Sequence, residues 1–450
     1  MPAYSGKFEY SAETGAPLGA GPCQLSFDAE ECRVTPVSGA AIAFDLGDVN
    51  AVVPGDWELQ LALHTGRQLF LRQFGPAFGR MMAELTAAWR DRMVQCLLLE
   101  DLEELDRFNG TVATAAGFPA PAEIRIFKSN IAVLRERGMP FQRRLADVDA
   151  VDFDAASYSV TLASGSECAI VSKLAKRTDA FRATLKKAHE NLREHSVRAL
   201  RKLFPFLDTD RLLRLQAMMP EGRSVRLSAL AAIHPEIPEA FAARAAGPTL
   251  KPYLDVLRMG MVPDSLMAGF KFVRKETVEG TSPEEETAAA PAPEDATEDA
   301  APAAEIEEDD GGESVFCWFF IPMALAADSK RHANIIAWEA GTGTGRATYF
   351  FRIAPPEQAG TLQEPTRARA VVDASVADLT RGLALVNFRR EPVYLPDASL
   401  QQQPRYRRYA IGCRRLPALR ALRAAYLGRA IHSSMETWSA QVQAILAVVR

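Results

Sequence analysis

Displaced along itself by 99 residues, the sequence meets itself without a gap from Pro22 to Leu71. Pro22 then faces Pro121, Gly39 faces Gly138 and Gly66 faces Gly165. The densest match sets Leu46-Gly47-Asp48-Val49-Asn50-Ala51-Val52 over Leu145-Ala146-Asp147-Val148-Asp149-Ala150-Val151, and the alternating Leu59, Leu61, Leu63 over Tyr158, Val160, Leu162. After one inserted residue the match continues, with Met81, Ala83, Leu85 and Ala88 over Phe181, Ala183, Leu185 and Ala188. Repetition at this length calls for two copies of one domain, so every later expectation for the first half has to hold twice.

Each copy orders its elements in the same way. In the second, EIRIF, IAVLRER, FQRRLADVDAVDF, SYSVTL and CAIVSKL alternate apolar and polar residues with period two, the pattern of half-buried strands. Lys128-Ser129-Asn130, Gly138-Met139-Pro140 and Ser164-Gly165-Ser166 supply turns between them. The period then changes. Phe181, Leu185, Ala188 and Leu192 form a helical stripe, with Thr178 placed to cap the helix and Asp179 to favour its N-terminus. An antiparallel sheet closed by one amphipathic helix is expected in each copy.

This strand order, the L-x-D-V-x-A-V sequence at the end of the third strand and the closing helix resemble the pleckstrin-homology-like superfamily, especially its bacterial and GRAM-type members. The resemblance covers Pro22–Trp89 and Pro121–Leu192. It implies binding modules for phosphoinositides, other proteins or one another, and a non-enzymatic role for this half. That is analogy at the level of the fold.

The expected fold class is α+β. A flexible tail at 1–20 precedes a first repeat domain at 21–95, a connector at 96–120 and a second repeat domain at 121–195. A helical segment at 196–267 follows, then a C-terminal α+β domain at 268–450. Pro205, Pro220, Pro235, Pro238, Pro248 and Pro263 punctuate the helical segment, and Asp208 and Asp210 can cap a helix at Arg211–Met219. In the last domain GFKFVR, VFCWFFIPM, ANIIAWE and ATYFFRIA read as strands. A helix at Val376–Val386, a short strand at Val393–Leu395, and helices within Leu416–His432 and Met435–Val449 complete it.

Charge is distributed unevenly. Fifteen acidic residues and no Lys or Arg lie between Glu276 and Glu313, which leaves 42 acidic against 52 basic residues elsewhere. The tract at 277–313 holds too little apolar surface to offset its chain entropy and is expected to be a disordered insertion. Both flanks are β-prone, so the insertion should interrupt a single sheet. The longest apolar run, Val315 to Ala327, is 13 residues, short of the roughly 20 that span a bilayer. The N-terminus lacks a basic segment followed by an apolar one, so no secretion signal is expected. Six scattered cysteines without C-x-x-C read as reduced residues of a cytoplasmic protein.

Two basic groups could hold anions. Lys128, Arg135, Arg137, Arg143 and Arg144 lie on the first three strands of the second copy, where Ala29, Pro36, Ser38, Phe44 and Asp45 occupy the matching positions of the first. Arg forks and Lys ammonium groups suit phosphates, and they equally suit a solvated sheet edge. Arg405–Arg429 carries eight arginines, Arg405, Arg407, Arg408, Arg414 and Arg415 among them, with Tyr406, Tyr409 and Tyr426 interleaved. These are ingredients for nucleic-acid binding, yet Leu416, Leu419, Leu422 and Tyr426 keep helical spacing, as on a helix with one solvated face. The acidic tract could screen this surface. Gly341-Thr342-Gly343-Thr344-Gly345 precedes a strand, so a hairpin loop is expected rather than a phosphate loop. His432 and Glu436 share a helical spacing, but no third ligand is nearby.

No familiar catalytic motif is present, and neither a cofactor nor a metal site is expected. The leading expectation is a cytoplasmic, bacterial adaptor or scaffold. Its tandem repeat domains would bind protein partners, including a second copy of the chain. The alternatives are docking on anionic membrane or nucleic acid, and an activity within 269–450.

Overall fold

A computed structural model describes residues 3–115, 117–164, 167–262, 264–274, 313–323, 335–341, 347–353 and 365–448. The chain is α+β and divides into two units, Met1–Leu192 with Pro396–Pro417, and Arg193–Leu395 with Ala418–Arg450.

The first unit carries the repeat. Strands β1 (Ala3–Ser11), β2 (Pro17–Phe27), β3 (Glu31–Pro36), β4 (Ile42–Asp45), β5 (Val49–Gly55), β6 (Glu58–Leu63) and β7 (Gln68–Arg72) form a seven-stranded antiparallel sheet in the order β4-β3-β2-β1-β7-β6-β5, followed by helix α1 (Phe78–Cys96). The second copy repeats it. Strands β8 (Glu104–Thr114), β9 (Gly117–Phe127), β10 (Asn130–Arg135), β11 (Phe141–Arg144), β12 (Ala150–Asp154), β13 (Ser159–Ser164) and β14 (Glu167–Ser172) take the order β11-β10-β9-β8-β14-β13-β12, followed by α2 (Thr178–Leu203).

Period-two alternation buries one face of each sheet. Leu59, Leu61 and Leu63 turn inward on β6, and Val160 and Leu162 on β13. Phe181, Leu185 and Ala188 bury the inner stripe of α2 against this core, as the helical spacing predicts. Thr178 does not cap the helix as expected: it is the first helical residue, and its hydroxyl donates to the Ala175 carbonyl.

The repeat extends further than sequence matching shows. Residues 1–20 were expected to be a tail and 96–120 a connector, yet β1 lies in the first range and β8 in the second. Phe8 pairs with Gly21 and Leu71, and its counterpart Val112 pairs with Ala120 and Val171. Thirteen positions separate Phe8 from Gly21 but only eight separate Val112 from Ala120, so the first strands fall outside the register of the rest.

A second slip is hidden by the pleat. Pro54 pairs with Leu59 and Phe153 with Val160, so Leu59 corresponds to Val160 and Leu61 to Leu162, two residues beyond the sequence match. A shift of two keeps every side chain on its own face, so hydrophobic alternation cannot report it. Tyr158, matched to Leu59 by sequence, sits exposed in the turn with positive φ.

The second unit is built on a six-stranded antiparallel meander of β15 (Val225–Arg226), β16 (Met267–Arg274), β17 (Glu313–Met323), β18 (Ile335–Ala340), β19 (Ala347–Arg352) and β20 (Tyr426–Ile431), paired in that order. Both faces are covered. Phe319 meets Phe241 of the helix Ile237–Met259 edge-on at 5.7 Å, and Trp318 packs 4.2 Å from Phe388 on the other face. Burial on both faces explains why β17 and β18 read as continuous apolar runs without alternation. One core joins Leu200, Phe204, Leu215 and Leu254 to Phe270, Cys317 and Phe350. The helical segment 196–267 and the strands after 268 therefore belong to one unit, while Pro396–Pro417 leaves it for the first.

Asp208 caps the helix Thr209–Met218 by accepting from the Arg211 amide at 2.8 Å, as expected. Two local expectations fail. Val393 lies in a short helix, Glu391–Tyr394, instead of a strand. Helix Pro417–Ala425 ends where β20 begins, since Tyr426–Ile431 pairs with β19.

Phe270 pairs with Cys317 and Arg274 with Glu313, so the strands flanking the acidic tract are sheet neighbours. Residues 275–312 lie outside the described residues, as do 342–346 of the glycine-rich segment. Replacing 275–312 by a short Gly/Ser turn should leave the β16–β17 ladder intact, checked by hydrogen exchange at Phe270 and Cys317. Loss of protection there would show that the tract is needed to fold the sheet.

A candidate binding cleft in the second repeat

Helical spacing puts Arg182, Lys186 and His189 on one side of α2, next to the inward stripe. On the neighbouring edge strand β12, Val151 and Phe153 share a face. Between them opens a cleft of about 510 Å³, lined by Val151, Phe153, Val160, Leu185, Lys186 and His189 among others. That volume falls in the range of ligand-binding clefts. The Arg182 guanidinium lies 3.8 Å over the Phe153 ring, and its Nη1 is 3.4 Å from Asp179. The mouth is therefore cationic and aromatic while the walls are aliphatic. β12 ends its sheet, and among the described residues no strand pairs with its outer edge.

His189 is half-buried, and its Nε2 is buried without a hydrogen-bond partner among the described residues. Burial holds its pKa below the ordinary 6.5, because the imidazolium is disfavoured there. The unfolded chain then binds the proton more readily than the folded one. Stability contributed by neutral His189 is present above 6.5 and falls as pH drops from there toward the depressed folded value. Thermal melting of the first unit should lose less between pH 7 and about 5 in His189→Gln than in the parent chain. Identical pH profiles would exclude His189 as the titrating group.

The first copy is closed where the second is open. Ladder pairing matches Val151 to Val52, and the helices match His189 to Trp89. Val151 is 42% exposed and Val52 1%; Trp89 is fully buried, its indole N–H donating to the Val49 carbonyl at 3.0 Å. Sequence reasoning missed this cleft. The available signal was the exchange of Trp for His at an otherwise matched helical position.

The five basic residues singled out in the second repeat do not form one patch. Lys128 pairs with Glu103 in the β9–β10 turn, while Arg135 and Arg137 lie at the far end of β10. Arg135 is buried and donates to the Phe118 carbonyl at 2.5 Å, and Arg137 is exposed. Arg143 and Arg144 return on β11 to the Lys128 end, paired with Glu167 and Asp147. Arg137 alone of the five makes no side-chain hydrogen bond or ion pair among the described residues.

The C-terminal group is drawn onto the first repeat. In helix Arg407–Arg415 and the turn before it, Arg405 contacts Gln403, Arg407 pairs with Asp45 at 3.0 Å, and Arg408 pairs with Glu100. Arg414 pairs with Asp48 at 2.5 Å, and Arg415 donates to the Gly47 and Val49 carbonyls at 2.7 and 2.9 Å. Burial lowers the Arg415 pKa. A Cβ at Gly47 would lie 2.6 Å from Cys96 Sγ and 2.8 Å from Ile411 Cδ1, so these side chains would have to shift to admit it.

In the second unit His432 does not pair with Glu436. Its Nε2 lies 3.3 Å from the buried Glu339 carboxylate and 3.0 Å from Thr348 Oγ1, which Trp438 Nε1 also reaches at 3.0 Å. Its ring stacks on Tyr253 at 4.0 Å. Thr348 is fully buried, so no substrate could reach it without rearrangement. Burial pushes the Cys96 and Cys317 thiols up to about 12, which leaves both protonated and unreactive near neutral pH.

Fold and site together define the class: a tandem of sheet-plus-helix modules with one closed and one open cleft. No protein-family model matches the chain, and no curated protein matches it. Among solved structures, one match is to the N-terminally truncated linker–DH/PH domains of p115-RhoGEF, at 10% identity and a TM-score of 0.18, covering 26% of this chain and 45% of that one. The match thus spans less than half of that structure, and a likeness at this level carries no argument. Among the described residues no helix is long and apolar enough to cross a membrane.

Proposed function

We propose that the chain is a non-enzymatic cytoplasmic adaptor or scaffold, of the bacterial pleckstrin-homology-like kind, in which the second repeat recognises a protein partner. The observation that carries this reading is the asymmetry of the copies. Trp89 fills the first cleft and the helix Arg407–Arg415 docks beside it, whereas Val151, Phe153 and His189 leave the second open next to a strand edge that is unpaired among the described residues. An extended partner segment can pair its backbone with such an edge and drop alternate side chains into the cleft. Val151→Lys in the full chain places a charge in the apolar wall. It should weaken a partner captured by the parent chain at least tenfold in calorimetry, about 1.4 kcal/mol. Equal affinity would move recognition elsewhere.

One observation favours docking on anionic membrane as a second reading. Arg135 donates to the Phe118 carbonyl, and Phe118, Met139 and Arg137 are exposed at this end of the sheet. Apolar tips beside a free cation suit an anionic bilayer surface. Sedimentation with phosphatidylserine vesicles at low salt should fall in Phe118→Ser/Arg137→Glu. Absence of binding by the parent chain at low salt would end this reading.

A further inference from the structure

The closed cleft of the first repeat is a template for what the open one lacks. Trp89 gives the first copy two things, aromatic bulk between α1 and β5, and an N–H donor for the Val49 carbonyl. Arg415 Nη2 donates to that same oxygen at 2.9 Å. The corresponding carbonyl of the second copy belongs to Val148, which is not among the residues lining the cleft. At the Trp89 position stands His189, smaller than an indole, with Nε2 buried and unpartnered. The second site is thus short of bulk and short of one partner at His189. A buried polar group without a partner is costly, so an occupant that supplies one gains more than apolar contact alone gives.

The rim narrows the chemistry further. Lys186 and Lys187 are exposed on α2, with Lys186 3.7 Å from the solvated Glu190, and Arg182 at the mouth stacks on Phe153 with one long contact to the largely solvated Asp179. Acidic residues flanking the inserted side chain would find cations on the helix side. We propose that the cleft of the second repeat takes a tryptophan side chain from an extended, acidic segment of a partner protein, its indole filling the space beside Val151 and Phe153 and its N–H donating to His189. The inference rests on the partner-binding reading above and deepens it. Phenylalanine would supply the bulk without the donor, and a basic segment would meet Lys186 and Lys187.

A random peptide library displayed on phage and selected against the full chain tests this, with Val151→Lys as the counter-selection. Cleft-dependent peptides should centre on tryptophan with Asp or Glu on one side. In synthetic versions of the selected peptides, Trp→Phe should weaken binding about tenfold and Trp→Ala should abolish it. His189→Trp, which fills the second cleft as Trp89 fills the first, should retain the parent thermal stability and lose these peptides. Cleft-dependent peptides without tryptophan would overturn the indole assignment and leave the partner-binding reading standing. Failure to enrich any cleft-dependent peptide would overturn both. Unchanged binding to His189→Trp would also overturn the assignment.

Discussion

Asp45→Ala should cost the first unit about 3–5 kcal/mol, the cost of leaving a buried guanidinium without its carboxylate. Asp45 is almost fully buried, and both of its oxygens are engaged by Arg92, at 2.9 and 2.7 Å. It also accepts from the Gly47 amide at 2.7 Å and pairs with Arg407. One carboxylate therefore ties β4, α1 and the helix Arg407–Arg415 together. Glu30 is the control. It contacts Arg92 Nη1 at 2.9 Å but is 60% exposed, so water and salt screen the pair and Glu30→Ala should cost less than about 1 kcal/mol. Urea denaturation of the full chain, followed by hydrogen exchange at amides of β3–β5 and α1, separates the two. Equal, small losses in both variants would mean that the Asp45–Arg92 pair is hydrated in solution.

The second large effect is expected at Trp89. Trp89→Ala removes a fully buried indole and its hydrogen bond, and should lower stability by about 3–5 kcal/mol. The matched substitution His189→Ala faces an open cleft. It creates little new cavity and removes a nitrogen that lacks a partner, so a loss under about 1 kcal/mol is expected. The contrast compares the two copies in one molecule under one condition. Similar losses at the two positions would show that the second cleft is closed in solution.

Several features of the fold were legible in the residues because they depend on local periodicity. The stripe Phe181, Leu185, Ala188 can bury only along one side of a helix, and it does. Phe270 and Cys317 could be placed in neighbouring strands because both flanks of the acidic tract are β-prone, whatever lies between them. The same periodicity misled where two arrangements satisfy it equally. Leu59 and Val160 are equivalent in the ladders, yet alternation accepts Tyr158 as readily, because a slip of two returns each side chain to its own face.

The site was far less legible, and the arginines show why. Arg405, Arg407, Arg408, Arg414 and Arg415 form a dense cationic run in sequence, and composition cannot say whether such a run meets solvent, phosphate or the protein itself. Asp45, Asp48, Glu100 and two backbone carbonyls claim four of them, and those partners lie more than three hundred residues away in the chain. The cleft had no sequence motif at all. Val151, Phe153, Arg182 and His189 come from a strand and a helix, and what distinguishes them is space left unfilled. By itself the sequence determined the duplication, the alternation of each sheet and the inward stripe of each helix, since these follow from neighbours a few residues apart. Only the tertiary structure decided which copy is closed, because closure depends on whether one side chain on a helix, Trp89 or His189, is large enough to reach the strand facing it.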